Sequence, residues 1–147
     1  MGRIAVSTVI EATPAKVWEA VQDIGSHVEW MADATAIRIT SAQQRGVGTT
    51  FDCDTKIGPA RLTDRMEITE WEPGRAMGVV HVGLVTGTGR FTLTSVPGSA
   101  TEFQWAEDLV FPWWMGAQVG GVLGGAVMKL VWKRNLAALK ERIENDL

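Results

Sequence analysis

"MKLVWKRNLAALKERI", residues 128–143, is the one long helical pattern in a sequence that otherwise favours strands. Met128, Trp132, Leu136, Leu139 and Ile143 recur at intervals of four, four, three and four residues, which places them on one helix face. Most positions between them carry charged or small side chains. The stretch therefore predicts an amphipathic C-terminal helix with one apolar face that must be buried.

A run of six predicted strands precedes this helix. The segments alternate apolar and polar residues and lie at 36–40, 49–56, 60–71, 75–82, 90–96 and 101–111. Turn sequences such as "EPG" at 72–74 and "PGS" at 97–99 separate them. Strands joined by short turns predict an antiparallel sheet that is wet on one face. Because the C-terminal helix is the only long element available, we predict that it covers the apolar face.

The N-terminal part predicts one strand and two short helices. Residues 3–12 alternate apolar and polar side chains, which is typical of a strand. The pair "TP" at 13–14 favours a helix start, because threonine caps a helix and proline is tolerated at its first position. We expect Gly25 to end this helix, and "SHVE" at 26–29 to begin a second one in which His27 is exposed.

Composition and charge exclude several classes of protein. The 147 residues are enough for one domain with a buried core, which we expect to span 1–147. The 14 Lys and Arg are outnumbered by 17 Asp and Glu and form no basic stripe, so we expect no nucleic-acid partner. The single cysteine, Cys53, and the lack of a signal-peptide pattern predict a cytoplasmic protein. With two histidines and no phosphate-binding loop, we expect neither metal nor cofactor.

Four stretches spread along the chain carry a family resemblance. They are "VSTVIEATPAKVWEAVQDIGSHVEW" at 6–30, "WEPGR" at 71–75, and the pair "FQWAEDLVFPWW" at 103–114 and "VWKRNLAALKERIE" at 131–144. The chain resembles the START-like (SRPBCC) superfamily, most closely its bacterial polyketide cyclase/dehydrase-type branch. The resemblance implies an α+β helix-grip fold. In that fold a seven-stranded curved antiparallel sheet wraps around a long C-terminal helix, with two short helices after the first strand. Members include carriers, cyclases and hydrolases, so the fold leaves the activity open.

The stretch "VFPWWMGAQVGGVLGGAVMKLVW" at 110–132 allows three interpretations. Its apolar length approaches that of a membrane span, but one proline and five glycines make a poor helix, and we expect no span. The second interpretation is a plain connection in which the glycines allow close packing. The third is a lid in which the glycines leave volume for a ligand. We favour the lid, with Phe111, Trp113, Trp114 and Met115 at the pocket mouth. Trp113 and Trp114 also suit peripheral contact with a membrane surface.

Three ionisable residues lie in phase with apolar neighbours on predicted strands. Asp64 and Glu107 share a face with apolar residues, and His81 follows two apolar residues at strand spacing, although its facing is ambiguous. A desolvated carboxylate or an imidazole could act as general acid or base, so these three are the candidate catalytic residues. The alternative is that each one is satisfied by a structural ion pair. For Glu107 we expect protonation or pairing, with Arg61, Arg65 and Arg90 as the possible partners.

The leading functional hypothesis is binding or transport of a small hydrophobic molecule, such as a polyketide, a fatty acid or another lipid. We expect it in a deep cavity between the sheet and the C-terminal helix. The residues expected to contact it are Trp30, Phe51, Cys53, Asp64, Met66, Met77, His81, Phe91, Trp105, Glu107, Phe111, Trp113, Trp114, Leu123 and Val127. The alternative is a polyketide cyclase or dehydratase that uses acid–base residues in the same cavity. The sequence is compatible with a monomer or a homodimer.

Overall fold

A seven-stranded antiparallel sheet is the largest element of the fold. The computed structural model describes residues 2–58, 60–111 and 126–146. The strands are β1 (Gly2–Ile10), β2 (Ala34–Ile39), β3 (Thr50–Ile57), β4 (Ala60–Glu72), β5 (Ala76–Val82), β6 (Thr86–Val96) and β7 (Ala100–Val110). The helices are α1 (Pro14–Val21), a 3₁₀ helix (Ile24–Glu29) and α2 (Ala126–Asn145). The strands lie in the order β1-β7-β6-β5-β4-β3-β2. This is the predicted α+β helix-grip fold.

The C-terminal helix covers the inner face of the curved sheet, as its apolar spacing predicts. Its buried face carries the five predicted residues together with Asn135. The ring of Trp132 stacks on Trp105 of β7, with centroids 4.4 Å apart and planes 13° from parallel. Because both rings are buried, this stack joins sheet and helix at one wall of the interior.

The helices after β1 differ in detail from the sequence prediction. Thr13 caps α1 by accepting a hydrogen bond from the backbone N–H of Lys16 at 3.4 Å. However, α1 ends at Val21 rather than at Gly25, and the capping box expected at 26–29 does not form, because the following turn is a 3₁₀ helix that begins earlier. His27 is therefore turned inward: it is buried, and the expectation that it is exposed was wrong.

The strand β6 begins earlier than its alternating pattern suggests, at Thr86 instead of Arg90. Two glycines, Gly87 and Gly89, lie within the ladder, where Gly87 pairs with His81 on one side and with Leu109 on the other. Their missing side chains hide the strand pattern in the sequence. At Gly89 a side chain would collide with that of Glu107 on the inner face of the sheet, where the candidate site lies.

The apolar stretch at 110–132 is described only at its two ends. No helix in the described parts of the chain is both long enough and apolar enough to cross a membrane. The predicted lid falls mostly on 112–125, so the proposed positions of Trp113, Trp114, Met115 and Leu123 lie outside the described residues.

Candidate functional site

A cavity of about 110 Å³ lies between the inner face of the sheet, the 3₁₀ helix region and α2. Its walls are mostly apolar. The predicted contact residues that line it are Phe51, Cys53, Asp64, Met66, Met77, His81, Phe91, Trp105 and Glu107. All three candidate acid–base residues are therefore brought to one cavity, although they lie on three different strands.

The other predicted contact residues lie elsewhere or outside the described chain. Trp30 is buried, with its ring centroid 6.0 Å from that of Phe91 and 6.1 Å from that of Trp105, but it is not among the described lining residues. Phe111 packs half-buried against the core, and Val127 is exposed at the start of α2. The structure does not bring these three to the cavity wall.

Asp64, His81 and Glu107 form a continuous hydrogen-bonded triad. Nδ1 of His81 lies 2.9 Å from both carboxylate oxygens of Asp64, and Nε2 lies 2.6 Å from Oε1 of Glu107. The indole N–H of Trp105 donates to the other oxygen of Glu107 at 2.8 Å. The His81 side chain is 2% exposed, whereas those of Asp64 and Glu107 are 15% and 11% exposed. The histidine is thus sealed between two carboxylates that remain the more accessible members.

The triad forms because the strand between His81 and Glu107 has a glycine, and therefore no side chain, where Glu107 crosses it. His81 lies on β5 and Glu107 on β7, so the glutamate must reach across β6. Its neighbour on β6 is Gly89, where a Cβ atom would lie 2.8 Å from Oε1 of Glu107 and 3.0 Å from its Cγ and Cδ. A side chain at this position would therefore force Glu107 to shift from the path by which it reaches His81.

The two carboxylates hold His81 in its protonated form. Burial by itself lowers the pKa of His81, because it desolvates the imidazolium. The hydrogen bonds and charges of Asp64 and Glu107 outweigh that effect and raise the pKa to about 10. Both ring nitrogens then carry protons, and each one donates to a carboxylate. At neutral pH the triad is an imidazolium between two acceptors.

The strand phase predicted for Glu107 is confirmed, but none of the three suggested arginines pairs with it. Glu107 faces the cavity and its neighbour Asp108 is exposed. Arg65 bonds instead to Asp52 at 3.2 Å, and Arg90 bonds to Glu70. The partner of Glu107 is His81, two strands away, which the spacing of residues within one strand does not reveal.

A second polar group, at the helix side of the cavity, was missed in the sequence. Asn135 of α2 accepts a hydrogen bond from the backbone N–H of Ala32 at 3.0 Å and donates to Asp33 at 2.7 Å. Burial raises the pKa of Asp33, although hydrogen bonds from Asn135 and Trp132 oppose that rise. The signal was present, because Asn135 follows Trp132 by three residues and so lies on the apolar face of the helix.

Two further ionisable residues of the cavity, His27 and Cys53, are uncharged. The ring of His27 lies 2.7 Å from the backbone oxygen of Val21 through Nε2, and burial lowers its pKa. Burial likewise raises the pKa of the Cys53 thiol to about 12, so the thiol stays protonated. Within the described ranges, no group of three or more His, Cys, Asp and Glu side chains has the arrangement of a metal site.

Replacing Gly89 with alanine should separate Glu107 from His81. The new methyl group would occupy the path of the glutamate side chain, and we expect a loss of about 1–3 kcal/mol in the free energy of unfolding. The sharper readout is the NMR titration of the His81 ring, whose pKa should fall because one carboxylate has moved away.

Gly78→Ala is the matched control for this substitution. A Cβ atom there would lie 3.0 Å from the Cβ of Glu70, so it also crowds a glutamate, but one that bonds to Arg90 and not to His81. The control should leave the His81 titration unchanged. Equal titrations in the two variants would show that Gly89 does not position Glu107.

The chain matches the family model described as "Polyketide cyclase / dehydrase and lipid transport" over residues 1–144. A comparison with curated proteins gave no significant match.

Several solved structures have the same fold. A protein of Thermus thermophilus superimposes with a TM-score of 0.79 at 15% identity, covering 99% of both chains. A START superfamily protein from Mycobacterium smegmatis gives 0.74 at 13% identity, again covering 99% of both. The Zhui aromatase/cyclase of Streptomyces sp. R1128 gives 0.71 at 14% identity, covering 99% of this chain and 92% of that one. At such low identity the similarity concerns the fold alone.

Proposed function

Because the chain belongs to the polyketide cyclase/dehydrase and lipid transport family, we propose that it binds a small hydrophobic molecule in the cavity between the sheet and α2. The observation that carries this proposal is the cavity itself, which has mostly apolar walls and one convergent polar cluster. Ligand sites commonly combine apolar walls, which supply affinity, with a few polar groups, which set orientation. Here the walls are formed by residues such as Phe51, Phe91 and Trp105, and the triad is the polar anchor.

The size of the cavity limits the ligand. Its 110 Å³ is well below the roughly 300 Å³ at the lower end of ordinary ligand pockets. The cavity in this structure is therefore smaller than the deep cavity that the resemblance led us to expect. Four methionines line it, namely Met31, Met66, Met77 and Met128. Unbranched thioether side chains repack easily, so we propose that they move aside for a ligand larger than a single aromatic ring.

A second candidate function is catalysis, as a cyclase or dehydratase. It is favoured by the convergence of Asp64, His81 and Glu107 on one cavity, because such chemistry needs a base and an acid within reach of one substrate. A carboxylate would take the proton beside a carbonyl, and the His81 imidazolium would resupply a proton, through its bonded carboxylate, to the departing hydroxyl. Chromatography coupled to mass spectrometry of the bound molecule before and after incubation separates the two functions, since a dehydratase removes one water, a cyclase gives an isomer of different retention, and a carrier leaves its ligand unchanged.

The remaining expectations from the sequence stay proposals. They are a cytoplasmic location, a single domain over 1–147, a monomeric or homodimeric state, and membrane contact through Trp113 and Trp114. The family match covers nearly the whole chain, which supports the domain assignment.

Replacing Val79 with phenylalanine is expected to weaken ligand binding by about tenfold or more. Val79 lines the cavity, and the larger ring would occupy space that a ligand needs. A titration with benzyl alcohol, followed by amide chemical shifts, measures the affinity. Molecules co-purified from the native host, identified by mass spectrometry, should be depleted in the same variant.

Val80→Phe is the matched control, because Val80 is the next residue on β5 and pairs with Glu67 and Thr88 on the outer face. It should bind as the unmodified protein does. If the two variants bind equally well, or if benzyl alcohol shifts no resonance of a cavity residue, the proposed binding function is wrong.

A further inference from the structure

We infer that the cavity selects its ligand by charge, accepting a neutral or cationic hydrophobic molecule with a hydrogen-bond donor and rejecting a carboxylate. The inference rests on the proposed function and narrows the class of ligand. It argues against fatty acids, which the sequence allowed as ligands.

The described lining offers no free cation to a ligand. His81 is the one imidazolium there, and both of its N–H groups are already bonded to Asp64 and Glu107. Arg90 also borders the cavity, but its guanidinium makes two hydrogen bonds to Glu70, at 2.7 and 2.9 Å, and is half exposed. His27 is buried, and its Nε2 faces the backbone oxygen of Val21.

The stretch 112–125, which lies outside the described residues, contributes no positive charge to the chain. The undescribed stretch 112–125 reads "PWWMGAQVGGVLGG" and contains no ionisable side chain. Whatever its conformation, it supplies no lysine or arginine to the cavity.

Hydrogen-bond acceptors are in excess. Asp64 and Glu107 together carry one more negative charge than His81 neutralises, and both side chains are more exposed than that of the histidine. A carboxylate has about four acceptor sites, so each retains lone pairs beyond those facing His81 and Trp105. Asp33 adds a third carboxyl group at the helix side.

A ligand loses water when it enters the cavity, so the excess of acceptors and negative charge there favours some ligands over others. A ligand hydroxyl or ammonium can donate to Asp64 or Glu107 and replace the hydrogen bonds it made to water. A ligand carboxylate would lose its hydration and meet the carboxylates of Asp64 and Glu107, which are acceptors of like charge, at the same place. A neutral apolar ligand with a donor therefore fits, and an anionic one does not.

The test uses three probes of nearly equal shape: benzyl alcohol, benzylamine and benzoate. Each is titrated at pH 7 into the intact protein, and affinity is measured from amide chemical shifts. We expect benzyl alcohol and benzylamine to bind at least about tenfold more tightly than benzoate. If benzoate binds as tightly as benzyl alcohol, charge selection is overturned while the binding function stands. If none of the three binds, the proposed function fails, and this inference with it.

Variants locate the source of the selectivity. Glu107→Gln removes one negative charge at nearly constant shape, and should shift the ratio of benzylamine to benzoate affinity by about tenfold toward benzoate. Asp64→Asn should act in the same direction, and serves if the first variant fails to fold. Asp108→Asn removes the same charge from the outer face of β7 and should leave the ratio unchanged. A ratio that is unchanged in both cavity variants, or changed equally in Asp108→Asn, would overturn the assignment to the triad.

Discussion

Replacing His81 with alanine is expected to lower the free energy of unfolding by about 3–5 kcal/mol at pH 7. The substitution leaves Asp64 and Glu107 facing the same small cavity without the cation between them. A carboxylate that has lost both water and its counter-charge is among the costliest groups to bury. Urea unfolding followed by tryptophan fluorescence measures the effect.

Two controls separate charge from packing. Val80→Ala truncates the preceding residue on the outer face of β5 and should cost far less. Adding Asp64→Asn and Glu107→Gln to His81→Ala removes the repelling charges and should recover much of the lost stability. If the triple variant is no more stable than His81→Ala, the loss reflects the missing ring volume instead of the uncompensated carboxylates.

The unmodified protein should lose roughly 2–3 kcal/mol of stability between pH 7 and pH 9. The pKa of His81 is raised from its ordinary value of 6.5 to about 10 in the folded protein. Below pH 6.5 the imidazole is protonated in both states, and the stabilisation is fully present. As the pH rises toward 10, the folded chain keeps a proton that the unfolded chain has released, so the stability falls steadily. Urea midpoints at half-unit pH intervals measure the slope.

The chosen pH range and the variant His81→Gln separate the titration of His81 from that of other groups. Measurements stop at pH 9 because the Cys53 thiol, whose ordinary pKa is 9.0, would add its own loss above that value. The lowered pKa of His27 affects stability only on the acid side of its ordinary value of 6.5. His81→Gln should flatten the curve between pH 7 and 9. An unmodified protein with a flat curve in that range would show that the triad does not hold a proton as described.

Local patterns in the sequence were enough to determine most of the elements and the buried faces of β7 and α2. Alternation along β7 placed Trp105, Glu107 and Leu109 inside and Asp108 outside, as the structure has them. The spacing of Trp132 and Leu136 placed the buried face of α2 in the same way. These features depend on periodicity within a single element, and periodicity is visible in one sequence.

Tertiary structure alone decided which polar groups meet. Asp64, His81 and Glu107 are far apart in the chain and become partners through strand order, register and the side-chain-free path over Gly89. The 3₁₀ geometry turned His27 inward, whereas the sequence led us to expect it to be exposed. A buried polar residue is stabilised by a partner from another element, and the periodicity of its own element carries no information about that partner. The sequence therefore determined the fold and the apolar interior, whereas the packing of strands across β6 determined the charged triad within it.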